Sequence, residues 1–383
     1  MTPVRLEILA RSGEHHGRLG RVHTPHGTFD TPAFMPVATA AAMKGLTPEQ
    51  VRSTGSQVIL NNTLHCMLRP GADRIAAFGS SHAFMRWSGP ILTDSGGFQA
   101  FSLADLRTLD EDGVTFRSFV DGAPVRLTPE TSMRAQNLIG ADIIMAFDDC
   151  PPAGPEVPKD RVRQATERSV RWLERCVRAH ARPSEQALFG IVQGGTHDDL
   201  RAWSLERTCA IDLPGYAIGG VAVGESPERI AATVEASAPR LPADRPRYLM
   251  GVGYPRDIAM AVAAGVDMFD CVLPTRNGRN ALAFTRHGPA RLRNARFAGD
   301  PEPIEADCDC GTCAAGFSRA YLRHLFMAGE MLGPTLVSLH NVRLYQRLML
   351  DIRTAIGCNG WSSLHERWPC LSAGAAERPG DHE

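Results

Sequence analysis

Hydrophobic positions along most of this chain fall into two kinds of run that follow one another in turn. Short, nearly continuous apolar stretches at 57–60, 90–93, 142–147, 187–192, 216–223, 247–251 and 266–269 predict strands. Longer amphipathic stretches at 129–139, 161–181, 198–211, 227–237 and 255–264 predict helices. A strand that is apolar on both faces is one covered on both faces, so the alternation predicts a parallel sheet with helices on either side. The start differs: 4–9 and 18–23 read as short strands with turns at Ser12-Gly13 and Pro25-His26-Gly27, and no chemistry is visible there. Thr47-Pro48-Glu49-Gln50 predicts a helix start, with Thr47 as N-cap and Gln50 closing a capping box.

Two α/β folds fit this order, an open doubly wound sheet and a (β/α)8 TIM barrel. Polar residues decide between them. Asp94, Asp148, Gln193 and Asp270 each follow a predicted strand, and the 216–223 stretch carries Gly219-Gly220 and runs on to Glu225. A barrel brings the carboxyl ends of all its strands to one rim, whereas an open sheet gathers its ligand groups at a single switch point. The barrel is therefore the expected fold.

Composition changes the picture in three places. The formal net charge of −1 gives no global pull toward nucleic acid or membrane, so any basic surface must be local. Lys44 and Lys159 are the only lysines, which leaves arginine to carry nearly all the positive charge. No apolar run is long enough to span a bilayer and no basic-then-apolar leader opens the chain, so a cytoplasmic location without membrane contact is expected.

Ten cysteines in 383 residues do not make a disulfide scaffold, and in a reducing compartment clustered thiols hold metal. Cys308, Cys310 and Cys313 lie within six residues, and His340 follows a helical stretch. Three thiolates and one imidazole predict a closed, tetrahedral, structural Zn2+ site, one per chain. The expected organisation is thus one barrel domain over 1–362, with a C-terminal zinc-binding subdomain at about 300–345. The remainder, 363–383, with Ser372-Ala373-Gly374-Ala375-Ala376, reads as a disordered tail.

The strand-end acids suggest the reaction. Two convergent carboxylates suit displacement at a sugar carbon, one as nucleophile and one as acid/base. A further carboxylate accepts hydrogen bonds from the N1–H and exocyclic amine of a purine, while Gln193 and the Gly219-Gly220 backbone read its carbonyl edge. Phe98, just after Gly96-Gly97, offers a stacking face of the kind a flipped base requires. Arg276, Arg279, Arg286, Arg291, Arg293 and Arg296, interspersed with asparagines, predict a phosphate-binding face beside Asp270.

Asp94-Ser95-Gly96-Gly97-Phe98-Gln99, Ile191-Val192-Gln193-Gly194-Gly195, Gly219-Gly220-Val221-Ala222-Val223-Gly224-Glu225, Tyr248-Leu249-Met250-Gly251-Val252-Gly253, 267–276 and the Cys308/Cys310/Cys313/His340 set resemble, in order, the bacterial tRNA-guanine transglycosylases (queuine tRNA-ribosyltransferases). The resemblance implies exchange of the wobble guanine of GUN anticodons for preQ1 in queuosine biosynthesis. It implies that Asp270 attacks the ribose C1′ and that Asp94 is the general acid/base. Asp148, Gln193, Gly220, Val221, Phe98 and Met250 would hold the base, with Cys150 and Val223 limiting the pocket to small bases. Arg276 and Arg279 would hold RNA phosphates. The partners implied are guanine, preQ1, the tRNAs for aspartate, asparagine, histidine and tyrosine, and a second copy in a homodimer.

Some positions depart from the family pattern. Asn61-Asn62-Thr63-Leu64-His65-Cys66 stands for the usual Gly-Asn-Thr-Tyr-His-Leu, and Phe119 replaces a usual histidine. One extra residue separates Cys313 from Phe317. A catalytically silent tRNA-binding paralogue, acting as a partner subunit, is the alternative these changes keep open, and retention of all three acids argues against it.

Overall fold

Eight short parallel strands hydrogen-bond into a closed ring: Ala33–Ala38, Ile59–Asn61, Ile91–Thr93, Ile143–Met145, Ala187–Val192, Gly215–Ile218, Arg247–Leu249 and Met268–Cys271, the last pairing back to the first. The structure, a computed structural model, describes residues 2–102, 107–154 and 156–372. Seven of the strands fall where the apolar runs place them, mostly shortened. The eighth, Ala33–Ala38, went unrecognised because it follows antiparallel strands with no helix between. The expected (β/α)8 barrel is the fold.

Alternation within each strand explains why both faces are apolar. Met35, Leu92, Ile143, Phe189, Tyr248 and Met268 pack together inside the ring. Their neighbours Phe34, Ile91, Ile144, Leu188, Leu249 and Phe269 pack outward against the helices. The helices Pro129–Ile139 and Pro227–Ser237 have the predicted bounds, each with proline in its first turn behind an N-cap, Thr128 and Ser226, that accepts from the backbone. The predicted capping box between Thr47 and Gln50 is formed.

The barrel is closed at its amino end. The antiparallel sheet Arg5–Arg11, Arg18–Thr24 and Gly27–Thr31 sends Val22 and Phe29, both fully buried, into the interior cluster. Only the carboxyl rim is left as a mouth. A second antiparallel sheet, Arg107–Leu109, Val114–Arg117 and Pro124–Leu127, lies between the third and fourth barrel strands and carries no strong periodic signal.

After the last barrel strand come the hairpin Leu282–Thr285/Gly288–Arg291 and the long helix Leu332–Cys358. That helix serves two masters: His340 faces the three thiols, while Gln346 donates to the Phe34 carbonyl and Tyr345 to the Gly253 carbonyl of the barrel. The disorder expected over 363–383 is corrected as far as residue 372. A helix, Trp361–Arg367, and a turn, Pro369–Leu371, dock through Trp368, which is fully buried and donates to Asp351. Residues 373–383 lie outside those described. Among the described residues no helix is long and apolar enough to cross a membrane.

Candidate active site

The pleat that turns Met268 into the barrel turns Asp270 into its mouth two residues later, and Leu92 and Asp94 are related in the same way. One Asp270 oxygen, Oδ1, accepts from Tyr248 Oη and from the Gly251 N–H at 2.9 Å. Among the described residues its other oxygen accepts no hydrogen bond. Burial raises the Asp270 pKa, and the Tyr248 and Gly251 donors partly oppose that. Burial, and then the charge of Asp270, also keep Tyr248 protonated, so it remains a donor.

Asp94 faces this group from the third strand. Its oxygens accept from the Thr63 N–H at 2.9 Å, the Gly96 N–H at 3.1 Å and the Asn62 side-chain amide. Burial nevertheless pushes Asp94 up to about 7, and the neighbouring charge of Asp270 adds to the push against the Thr63, Gly96 and Asn62 donors. A carboxyl held there exchanges protons at neutral pH.

A third buried acid reads a different part of the mouth. Asp148 accepts from the Gln193 amide at 2.6 Å and from Ser95 at 3.3 Å, and burial raises it to about 6. The adjacent Asp149 is unlike it: Arg161 grips both its oxygens and Arg168 one of them, the structural ion pairing that a rim acid can also serve. Gly219 and Gly220 lie against the Gln193 amide so closely that a Cβ on Gly220 would sit 2.3 Å from its oxygen. Glu225 accepts from the Ala222 and Val223 N–H groups and ties down the next loop.

A cleft of about 790 Å3 opens beside these groups, lined among others by Phe98, Cys150, Val223, Cys271 and Arg276. Gln193, Gly220 and Val223 line a smaller one of about 480 Å3 that adjoins it. Phe98 is exposed in the cleft rather than buried as a core aromatic. Val221 is buried, and Met250 packs against the barrel interior. All the residues singled out for the base and the sugar thus lie at one end of the barrel.

A family model described as queuine tRNA-ribosyltransferase matches residues 13–369. A queuine tRNA-ribosyltransferase of Symbiobacterium thermophilum is 52% identical over 379 residues, which is 98% of this chain and 93% of that protein. One of Thermus thermophilus is 53% identical over 356 residues, covering 93% of this chain and 91% of that protein. One of Halalkalibacterium halodurans is 49% identical over 356 residues, 93% of each chain. The chain belongs to the queuine tRNA-ribosyltransferase family.

In this family member the departures leave the acids' partners in place. Asn62 and Thr63 still hold Asp94, while Leu64 is fully buried beneath Gly96 and Phe119 lies 4.9 Å from the His65 ring. Arg276 and Arg279 occupy the helix Leu273–Arg279 directly after Asp270, and among the described residues no carboxylate pairs with either. Of the other arginines of this face, Arg286 is less free, pairing with Asp307 and Glu305.

Cys308, Cys310, Cys313 and His340 are buried together, with Nδ1 of His340 at 3.5, 3.6 and 3.4 Å from the three sulfurs. Ligands bonded at about 2.3 Å (S) and about 2.0 Å (N) to one tetrahedral ion lie about 3.5 Å apart, so this group can hold a metal ion. The opposite ring nitrogen of His340 lies 2.8 Å from the Phe284 carbonyl, which directs the Nδ1 lone pair at the thiols.

Sequence reasoning passed over Tyr248 and Arg201. Tyr248 sits in an apolar strand, where a hydroxyl needs a partner. Arg201 shares the buried face of helix Asp198–Cys209 with Ser204, Leu205 and Thr208, at helical spacing, where a cation is out of place.

Proposed function

We propose that this protein is a tRNA-guanine transglycosylase that replaces the wobble guanine of GUN-anticodon tRNAs, those for aspartate, asparagine, histidine and tyrosine, with preQ1. The observation that carries this reading is the facing pair Asp270 and Asp94 beside a buried purine-reading set, Asp148, Gln193 and the Gly220 N–H.

The free oxygen of Asp270 attacks ribose C1′ from the face opposite the guanine. The C1′–N9 bond breaks, its electron pair stays on the base, and Asp94, whose pKa of about 7 keeps part of the population protonated at neutral pH, supplies a proton to it. A covalent ribosyl-enzyme remains. Asp94, now a carboxylate, takes the proton from the incoming preQ1 as its nitrogen attacks C1′ and expels Asp270, and two inversions give net retention. Asp148 accepts from the base N1–H and amine, Gln193 and the Gly220 N–H donate to its carbonyl, Val221 and Met250 flank it, and Phe98 stacks on it. Cys150 and Val223 limit its size. Arg276 and Arg279 hold the phosphates of the unstacked strand.

The metal is a structural Zn2+, one per subunit, held by Cys308, Cys310, Cys313 and His340. Its four protein ligands leave no position for substrate. The enzyme works in the cytoplasm as a homodimer, and the exposed apolar residues Met327, Met331 and Leu332 beside the metal subdomain are of the kind a self-contact would cover. Sedimentation of the purified protein at half the dimer mass would end the dimer reading, and metal analysis finding no zinc in folded, active protein would end the zinc reading.

Labelled guanine and unmodified tyrosine tRNA test the function. Label enters the tRNA in the presence of the enzyme; no incorporation at high enzyme concentration overturns the reading. A trapped RNA–protein adduct disappears in Asp270→Ala, and an adduct that survives reassigns the nucleophile.

A further inference from the structure

Arg201 is a buried cation with no carboxylate partner among the described residues. It is 3% exposed, and burial lowers its pKa to about 10. Its guanidinium is solvated by main-chain carbonyls instead: Nε donates to Gly195 at 2.7 Å, Nη1 to Val192 at 3.0 Å and Nη2 to Gly219 at 2.6 Å. Burying a charge is costly, with Glu225 acting on it only at a distance, and the three donors each satisfy a main-chain carbonyl, so packing alone does not account for this residue.

The three carbonyls are not scattered. Val192 and Gly195 flank Gln193 on one strand end, and Gly219 precedes Gly220 on the next. A trans peptide points its C=O and N–H in opposite directions. With the Gly219 carbonyl turned to Arg201, the Gly220 N–H is turned away from it, toward Cys150, whose thiol burial and Asp148 push up to about 12 against the Gln193 and Gly220 donors. The sequence by itself would leave this peptide loose, because Gly220 already has φ of +65° and neither glycine has a side chain to prevent a flip. A flipped peptide would present the Gly219 carbonyl where a donor is required.

We propose that Arg201 is a positioning residue for base choice. By clamping the Gly219–Gly220 peptide and the two ends of the Gln193 loop, it sets a donor, not an acceptor, against the six-position of the purine. It thereby selects a ring carbonyl over a ring amine. This rests on the base-pocket reading above, and the test separates the two.

Binding of free guanine and of 2,6-diaminopurine is measured by calorimetry on the zinc-loaded wild type, Arg201→Met and Arg201→Lys. Wild type prefers guanine. In Arg201→Met the ratio of the two affinities falls about tenfold or more, the loss of one discriminating hydrogen bond, and Arg201→Lys, which cannot reach all three carbonyls at once, gives an intermediate ratio. If Arg201→Met does not fold, the lysine variant alone decides. Both bases weakened equally in these variants, or an unchanged preference, overturns the proposal and leaves Arg201 a structural residue. A wild type that binds guanine no better than 2,6-diaminopurine overturns the base-pocket reading itself.

Discussion

Both ends of this barrel are studded with aspartates, and, the arginine-paired Asp149 apart, the two sets live in opposite electrostatic conditions. At the amino end, Asp267 is held by Arg18 through both oxygens, at 2.8 and 2.6 Å, and also accepts from the Arg247 N–H. Asp142 accepts from the His26 ring and N–H, the His82 ring and the Ile91 N–H. Burial works to raise Asp142, but His82, His26 and Ile91 outweigh it and leave the carboxyl below its usual value. At the carboxyl end, Asp94, Asp148 and Asp270 receive hydroxyl, amide and N–H donors but no cation, and all three are raised. Full pairing marks an acid that holds the fold, and burial without a counter-ion marks one that can do chemistry.

The largest effect should come from exchanging a carboxylate for its amide at each end. Asp270→Asn lowers guanine incorporation by roughly 10⁴-fold or more, the loss expected of a nucleophile, with no loss of stability. Asp267→Asn leaves Arg18 buried and uncompensated and costs about 3–5 kcal/mol in urea unfolding. If Asp270→Asn melts the protein as Asp267→Asn does, the distinction between the two ends collapses.

Next in size, Asp94→Asn lowers the rate about 10²–10⁴-fold and changes how stability depends on pH. The folded value of Asp94, about 7, lies above its unfolded one near 4, so the folded state binds the extra proton between them. Stability therefore falls as pH rises from about 4 to about 7, by a few kcal/mol at most, and the asparagine variant lacks that slope. Asp142 has the opposite sign: its lowered value contributes stability above pH ~4 that is lost as pH falls through the folded pKa. Denaturation curves of Asp94→Asn and Asp142→Asn across pH that shift in the same sense would contradict this.

Asp148 must be ionised to accept from the purine N1–H. With its pKa raised to about 6, guanine affinity in calorimetry falls below that pH, by about tenfold per unit once the acid is protonated. The smallest effect belongs to Tyr248→Phe. It removes a donor from Asp270, raises that acid further and moves the acid limb of kcat/KM to higher pH, with roughly tenfold less activity at neutral pH. An unmoved limb would detach Tyr248 from Asp270.

Much of this was legible in one dimension because its causes are local. Thr47 and Gln50 cap each other across one turn, and the helices Pro129–Ile139 and Pro227–Ser237 begin at prolines behind hydroxyl caps. Strand ends were less legible. The run 216–223 pairs only over Gly215–Ile218, because its Gly219-Gly220 segment leaves the sheet to meet Gln193 and Arg201. The terminal helix was misread because a polar, small-residue stretch hides Trp368, whose burial depends on a surface made elsewhere.

The sequence by itself determined seven of the eight barrel strands and the helices between the later ones, the three thiols with their histidine, and the acids Asp94, Asp148 and Asp270 after three of the strands, since these follow from periodicity and spacing. Only the tertiary structure decided which aspartates are spent on the fold. Asp267 meets its cation 249 residues away in Arg18, and Asp142 meets His26 116 residues away. Pairing of charges is a property of positions in space, and a chain shows it only after closing its barrel.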